Sequence, residues 1–256
     1  MTAEKQSAGV RESLKADHTR EAIRIRLGQA TQHSYLRDFV YGGIDGAVTT
    51  FAVVSGVAGA DLSTGVVIIL GMANLVGDGF SMAASNYLGS KADLQVLEHA
   101  RRTEELHIAK YPEGEREEVR QIMAAKGFAG QELENIVATI TADQRLWVNT
   151  MLQEELGLSL DRPCPWRAAV VTFLAFISIG VLPLLAFLVE YVLDIPGNRP
   201  FLWSTLLTGV AFFAVGAVKA RFVSDKWYRS GTETLLVGST AAGIAYIVGW
   251  LLSGFA

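Results

Sequence analysis

DFVYGGIDGAVTTFAVVSGVAGA, residues 38–60, and GMANLVGDGFSMAASNYLGSKAD, residues 71–93, are the two stretches on which the fold turns. Each is apolar for about 20 residues, the length of helix needed to cross a hydrocarbon core of about 30 Å. The short segment GADLSTG, residues 59–65, joins them and predicts an antiparallel hairpin, with Asp61 or Ser63 placed to cap the second helix. Each helix carries an acid at membrane depth, Asp45 in the first and Asp78 in the second. Such a group costs about 2.5–3.5 kcal/mol at the bilayer centre, so it calls for a reason. On the second helix Asn74, Asp78 and Met82 recur every four residues, with Asn86 one step further, forming one polar stripe. Helix-to-helix hydrogen bonds, with close packing at Gly42, Gly43, Gly46, Gly77 and Gly79, would account equally well for Asn74 and Asn86. Two carboxylates and a thioether are better explained by an ion pathway, because serine or threonine would serve packing alone.

Three further apolar stretches, starting near Ala168, Phe201 and Thr232, bring the expected spans to five. The composition agrees: half of the 256 residues are hydrophobic and 19% are charged, too apolar for an ordinary soluble domain. Pro183 lies inside the third stretch and should kink it by freeing a backbone carbonyl. Seven Lys and Arg residues precede the first span, several fill the central block, and Lys219, Arg221, Lys226 and Arg229 separate the fourth and fifth. The opposite side receives only Arg199, which places the N-terminus in the cytosol and the C-terminus outside. Trp166, Trp203, Trp227 and Trp250 fall near span ends, where an indole keeps its N–H among headgroups.

No removable signal peptide is expected at the polar N-terminus. The segment from about Asp17 to Leu36 mixes apolar and basic residues, as a helix on the cytosolic membrane surface would. The single cysteine, Cys164, allows no intrachain disulfide and no cysteine metal cluster. A formal net charge of -4 speaks against nucleic acid as a partner. The chain therefore divides into a cytosolic N-terminal segment (1–38), the pore hairpin (39–90), a helical cytosolic domain (91–166) and three more spans (167–256). The expected class is an all-α membrane protein with five transmembrane helices and that domain inserted between the second and third.

The inserted block reads as helices broken at YPEG, GFAG and ITADQ and ends in the stiff linker DRPCPW. From Asp93 to Asp161 it holds fourteen acids against seven bases, more than half of the chain's 26 carboxylates. A solvated surface is the ordinary meaning of such a run. The spacing points further: Glu104 and His107 are three apart, as are Glu115 and Glu118, so each pair projects from one helix face and the turn at Pro112 can bring the faces together. Met151, Glu154 and Glu155 come from a later helix. Carboxylates with an imidazole and a thioether suit a borderline divalent ion better than calcium or magnesium, which want oxygen alone.

The two quoted stretches resemble the first two spans of the vacuolar iron transporter family, and the similarity extends over nearly the whole chain. That resemblance implies a homodimer whose pore is lined by the first two spans, exporting iron(II) or manganese(II) from the cytosol by proton antiport. It also implies that Asp45 and Met82 occupy the transmembrane ligand positions, and that Glu104, Glu115, Glu118, Met151 and Glu155 occupy those of the cytosolic domain. Three positions depart from the family pattern. Asn74 stands where some members carry a glutamate, with Asp78 near enough in sequence to compensate, and His107 and Leu152 replace a glutamate and a methionine. Those two changes lower ligand charge and thioether count, and leave iron, manganese, zinc and cobalt open as ions for the domain.

The expected function is metal transport by a protein that is not an enzyme and has no prosthetic group, in a bacterial inner membrane or one of vacuolar type. Its expected partners are divalent ions, protons, lipid and a second copy of itself. Two other readings compete. Glu104 to His107 has the Glu-x-x-His spacing of di-iron oxidases, but no second such motif occurs in the chain. In a metal-sensing membrane protein the spans would only anchor the domain, which would give Asp45 and Asp78 no purpose.

Overall fold

In the computed structural model the described residues are 14–29, 34–193, 199–223 and 225–255. The N-terminal expectation is thereby only partly covered, since residues 1–13 and 30–33 lie outside them. All regular elements among the described residues are helical: α1 Arg20–Gln29, α2 Leu36–Gly59, α3 Thr64–Lys110, α4 Pro112–Ala125, α5 Gly130–Ala142, α6 Gln144–Glu154, α7 Pro165–Gly180, α8 Leu182–Leu193, α9 Pro200–Val223, α10 Trp227–Leu252 and a terminal 3-10 turn, Ser253–Phe255. They group into two compact units. One contains Tyr35–Ala92 and Cys164–Ala256, the other Asp93–Pro163 with the described residues up to Ser34.

The first unit is that of an integral membrane protein. Helices α2, α3, α9 and α10 are each long and apolar enough to cross a bilayer, and α7 with α8 makes a fifth candidate, bent by 50°. The bend falls where Pro183 follows the break at Val181, as a missing N–H and a ring clash require. Ser204 on α9 donates to the Pro183 carbonyl at 2.6 Å, so the broken span is tied to its neighbour just past the bend. Helix α10 begins at Trp227, five residues ahead of the apolar run that marked it, with the extended Lys226 as its N-cap.

Small residues set the spacing inside this unit, since lipid supplies no hydrophobic drive between helices and close contact must hold them. A Cβ on Gly42 would stand 3.2 Å from that of Ala175, and one on Gly46 would meet the Phe176 backbone, with Cα at 2.9 Å. Gly79 likewise packs on Phe176. Gly77 does not: it is exposed, with nothing within 4 Å of the place a Cβ would take. Around this seam Phe51, Val54, Val67, Leu75, Phe176, Leu184 and Phe212 form the buried core. Among the buried hydroxyls, Thr208 and Thr234 donate to carbonyls of their own helices, Ser204 and Ser230, at 2.7 and 3.0 Å, whereas those of Thr50, Ser55 and Ser230 have no side-chain hydrogen-bond partner.

Helix α3 has 47 residues, about 70 Å at 1.5 Å per residue, so only its apolar first part can lie in a 30 Å core. It runs unbroken through residue 90, where the sequence suggested a boundary.

The second unit packs the end of α3 with α4, α5 and α6. Pro112 opens α4 at a position where the missing N–H costs nothing. Gly127, at φ +100°, ends α4: Phe128 N–H bonds the Met123 carbonyl and Gly127 N–H that of Ala124, a reversal that needs a residue without a Cβ. Asp143 caps α6, accepting from the N–H groups of Arg145 at 2.8 Å and Leu146 at 3.2 Å. Two apolar clusters follow, one of Val119, Met123, Val137, Ile140, Trp147 and Met151, the other of Leu97, Val148 and Leu152.

Candidate permeation and metal sites

The candidate polar groups of the membrane unit lie on α2 and α3, which Asn86 and Asp38 join directly. Asp45 is half-buried at the middle of α2, close enough to Asp78 for the two charges to repel. Asp78 is exposed on α3 and accepts a hydrogen bond from the Asn74 amide one turn before it. Met82, half-buried, packs against the core cluster. Asn86 is a bridge: its amide donates to Asp38 Oδ1 at 2.9 Å and to Thr172 Oγ1 at 2.7 Å, linking α2, α3 and α7. Asp38 and Asp45 are seven residues apart, two helical turns, and so share a face of α2.

Sequence reasoning missed Asp38 because the first span was drawn to start after it, although its seven-residue spacing from Asp45 was visible. It also passed over Glu190, which lies in the apolar stretch of α8 and accepts from Thr64 Oγ1 at 3.2 Å. That pair joins the N-terminus of α3 to the far half of the bent span.

The helical unit brings acids together more tightly. Glu104, past the apolar part of α3, and Glu115, in the first turn of α4, are 4% and 6% exposed. With exposed His107 they offer three ligand atoms within 4.8 Å of one another, and His107 Nδ1 lies 3.3 Å from Glu115 Oε1. Burial raises the pKa of Glu104, with Glu118 adding to the rise and His107 opposing it. Burial, then the charges of Glu118 and Glu104, push Glu115 up to about 7. Glu155, just past α6, is raised by burial and then by Glu104 and Glu118. Four carboxylates from three helices therefore feel one another, and no Lys or Arg pairs with them among the described residues.

Neighbouring acids show the contrast. Arg120 binds both Glu117 and Glu134, and Lys126 pairs with Glu154. Those are ordinary surface ion pairs, worth little each. At the other cluster Glu104 Oε2 and Glu115 Oε2 are buried without a hydrogen-bond partner. Buried carboxylates that repel one another and each leave one oxygen unpartnered gain most from a proton or a divalent cation. Their oxygen atoms with the His107 imidazole make a hard-to-borderline donor set. Met151, expected as a ligand, is wholly buried in the apolar cluster beside Val119 and Trp147, one turn before Glu155. Leu152, next to it, is equally buried in the second cluster.

The model of the VIT family matches residues 36–250, which takes in both units. A protein of Toxoplasma gondii named vacuolar iron transporter is 32% identical over 253 residues, covering 94% of this chain and 84% of the relative. Vacuolar iron transporter 1 of Arabidopsis thaliana is 30% identical over 220 residues, covering 84% and 85%. The vacuolar iron transporter of Plasmodium berghei is 29% identical over 224 residues, covering 85% and 82%.

Proposed function

The chain belongs to the VIT family, and from that membership we propose that it transports iron(II), with manganese(II) as a second substrate, across its membrane. The relatives named vacuolar iron transporter support metal transport rather than an enzymatic reaction. The observation that carries the reading within this chain is Asp45 on one span lying close enough to Asp78 on the next for their charges to interact, with Met82 one turn further along α3. Carboxylate and thioether can replace part of the hydration shell of a borderline cation. In a homodimer each such ligand is doubled about the two-fold axis, which gives a complete shell without four ligands from one chain.

The direction we propose is out of the cytosol: the excess of Lys and Arg orients the chain with its acidic helical unit on the cytosolic side, where an ion would be taken up. The acids of the helical unit, Glu104, Glu115, Glu118 and Glu155 with His107, collect the ion on the cytosolic side and raise its local concentration. Asp45 or Asp78, reprotonated after release, couples metal exit to proton entry. The same topology serves a bacterial inner membrane and a vacuolar one.

The test is iron(II) flux in proteoliposomes under an imposed pH gradient. Asp45→Asn should lower the rate at least tenfold and remove its dependence on the gradient. Full flux with an unchanged pH response would take Asp45 out of the pathway. Glu104→Gln with Glu115→Gln should lower the iron bound per chain while leaving flux at saturating metal within about twofold.

A further inference from the structure

Helices α3 and α7 leave a groove between them on a face away from the acids. Its volume is about 460 Å³, and its wall is apolar throughout, formed by Phe80, Ala84 and Leu88 of α3 and Trp166, Val170 and Leu174 of α7. Ala84 leaves the space that the larger side chains around it enclose. Each wall is drawn from a stretch of nine residues of its helix, a rise of about 12 Å at 1.5 Å per residue. One end of the groove is marked by charge. Tyr87 lines it, and the Lys91 ammonium, one turn further along α3, sits 5.9 Å over the Tyr87 ring. Arg167 follows Trp166 in the first turn of α7 and is exposed. Neither base forms an ion pair among the described residues. Trp166, 69% exposed at the same end, is the residue type that marks the headgroup level of a bilayer.

We propose that this groove is a binding site for one anionic phospholipid, an acyl chain lying along α3 and α7 and the phosphate held between Lys91 and Arg167. An apolar trough with Lys91 over its Tyr87 wall and Trp166, followed in the chain by the exposed Arg167, at one end complements such a molecule along its length. A zwitterionic lipid fills the trough equally well but gives the two cations no net charge to neutralise. A second copy of the chain is the poorer occupant. Related by an axis along the membrane normal, it would bring like basic charges to the same end of the interface. Two bases near the surface give an anionic headgroup a preference of about tenfold or more.

The experiment uses the purified full chain in detergent, titrated with phosphatidylglycerol or phosphatidylcholine, with bound lipids counted by native mass spectrometry. The protein should retain one phosphatidylglycerol about tenfold more strongly than phosphatidylcholine. Lys91→Gln with Arg167→Gln, both exposed and outside the proposed permeation path, should bring the two lipids near parity. Ala84→Phe should lose that one lipid whatever its headgroup. Equal retention of both lipids by the unaltered protein, or an unchanged preference in the double variant, would reduce the groove to ordinary lipid-facing surface. A change of oligomeric state in Ala84→Phe with no change in lipid count would assign it to a second copy. Because lipid is counted without any flux measurement, either result leaves the transport reading untouched.

Discussion

Replacing Glu115 by Gln should stabilise the helical unit without metal at pH 8 while weakening its hold on iron(II). Folding raises the Glu115 pKa from 4.5 to about 7, through burial and the charges of Glu118 and Glu104. Between those values the folded chain binds more protons than the unfolded one, so this group's contribution to stability falls as pH rises from 4.5 to 7. Above 7 the charged carboxylate costs the folded state its full amount. A shift from 4.5 to about 7 converts at 1.36 kcal/mol per unit to about 3 kcal/mol, as an upper bound. Water around the exposed Glu118 and Glu155 screens part of it and leaves roughly 1–2 kcal/mol. Hydrogen exchange of the α4 amides near Val119 and Met123, in the full chain with chelator, reads that difference directly. At pH 8 the Gln variant should be about tenfold better protected than the parent, after correction for intrinsic exchange. At pH 4.5, where both forms are neutral, the two should coincide. A variant less protected than the parent at pH 8, or a parent whose stability does not decline through this window, would refute the account of repelling carboxylates.

Three more substitutions probe the packing. Gly46→Ala drives a methyl group into the Phe176 backbone and should lower stability by about 1–3 kcal/mol, whereas Gly89→Ala, with nothing within 4 Å, should be neutral or raise the melting temperature slightly. Thermal unfolding of the two variants in the same detergent makes the comparison. Asn86→Leu removes the donor that Asp38 Oδ1 and Thr172 Oγ1 share and should cost about 1–3 kcal/mol, read as a lower melting temperature. Asp143→Ala leaves the Arg145 and Leu146 N–H groups without their cap and should cost about 0.5–2 kcal/mol, seen as faster exchange confined to the first turn of α6.

The membrane spans were legible in the sequence because a bilayer imposes a length and an apolar composition that no other environment demands of 20 consecutive residues. The kink at Pro183 and the helix breaks near Pro112, Gly127 and Asp143 were legible for a related reason: each follows from what one residue does to its own backbone. Asp45, Asp78 and the Glu104–His107 pair stood out because charge in an apolar run, or acids three apart on one helix, is costly or conspicuous before any fold is known.

Asp38 and Glu190 were harder, since both lie near the ends of apolar stretches, where an acid is cheap and draws no notice. Their meaning rests on partners distant in the chain, Asn86 and Thr64. The same holds for Gly46 and Gly77, indistinguishable by local sequence: one faces a helix backbone and the other open space. Sequence by itself determined the class of the protein, its helices and the inventory of acids, all consequences of local backbone chemistry and of solvent. Tertiary structure decided which carboxylates meet without a Lys or Arg between them and which are paired with one. Their pKa values depend on distance and burial, and both arise only when helices far apart in the chain are packed together.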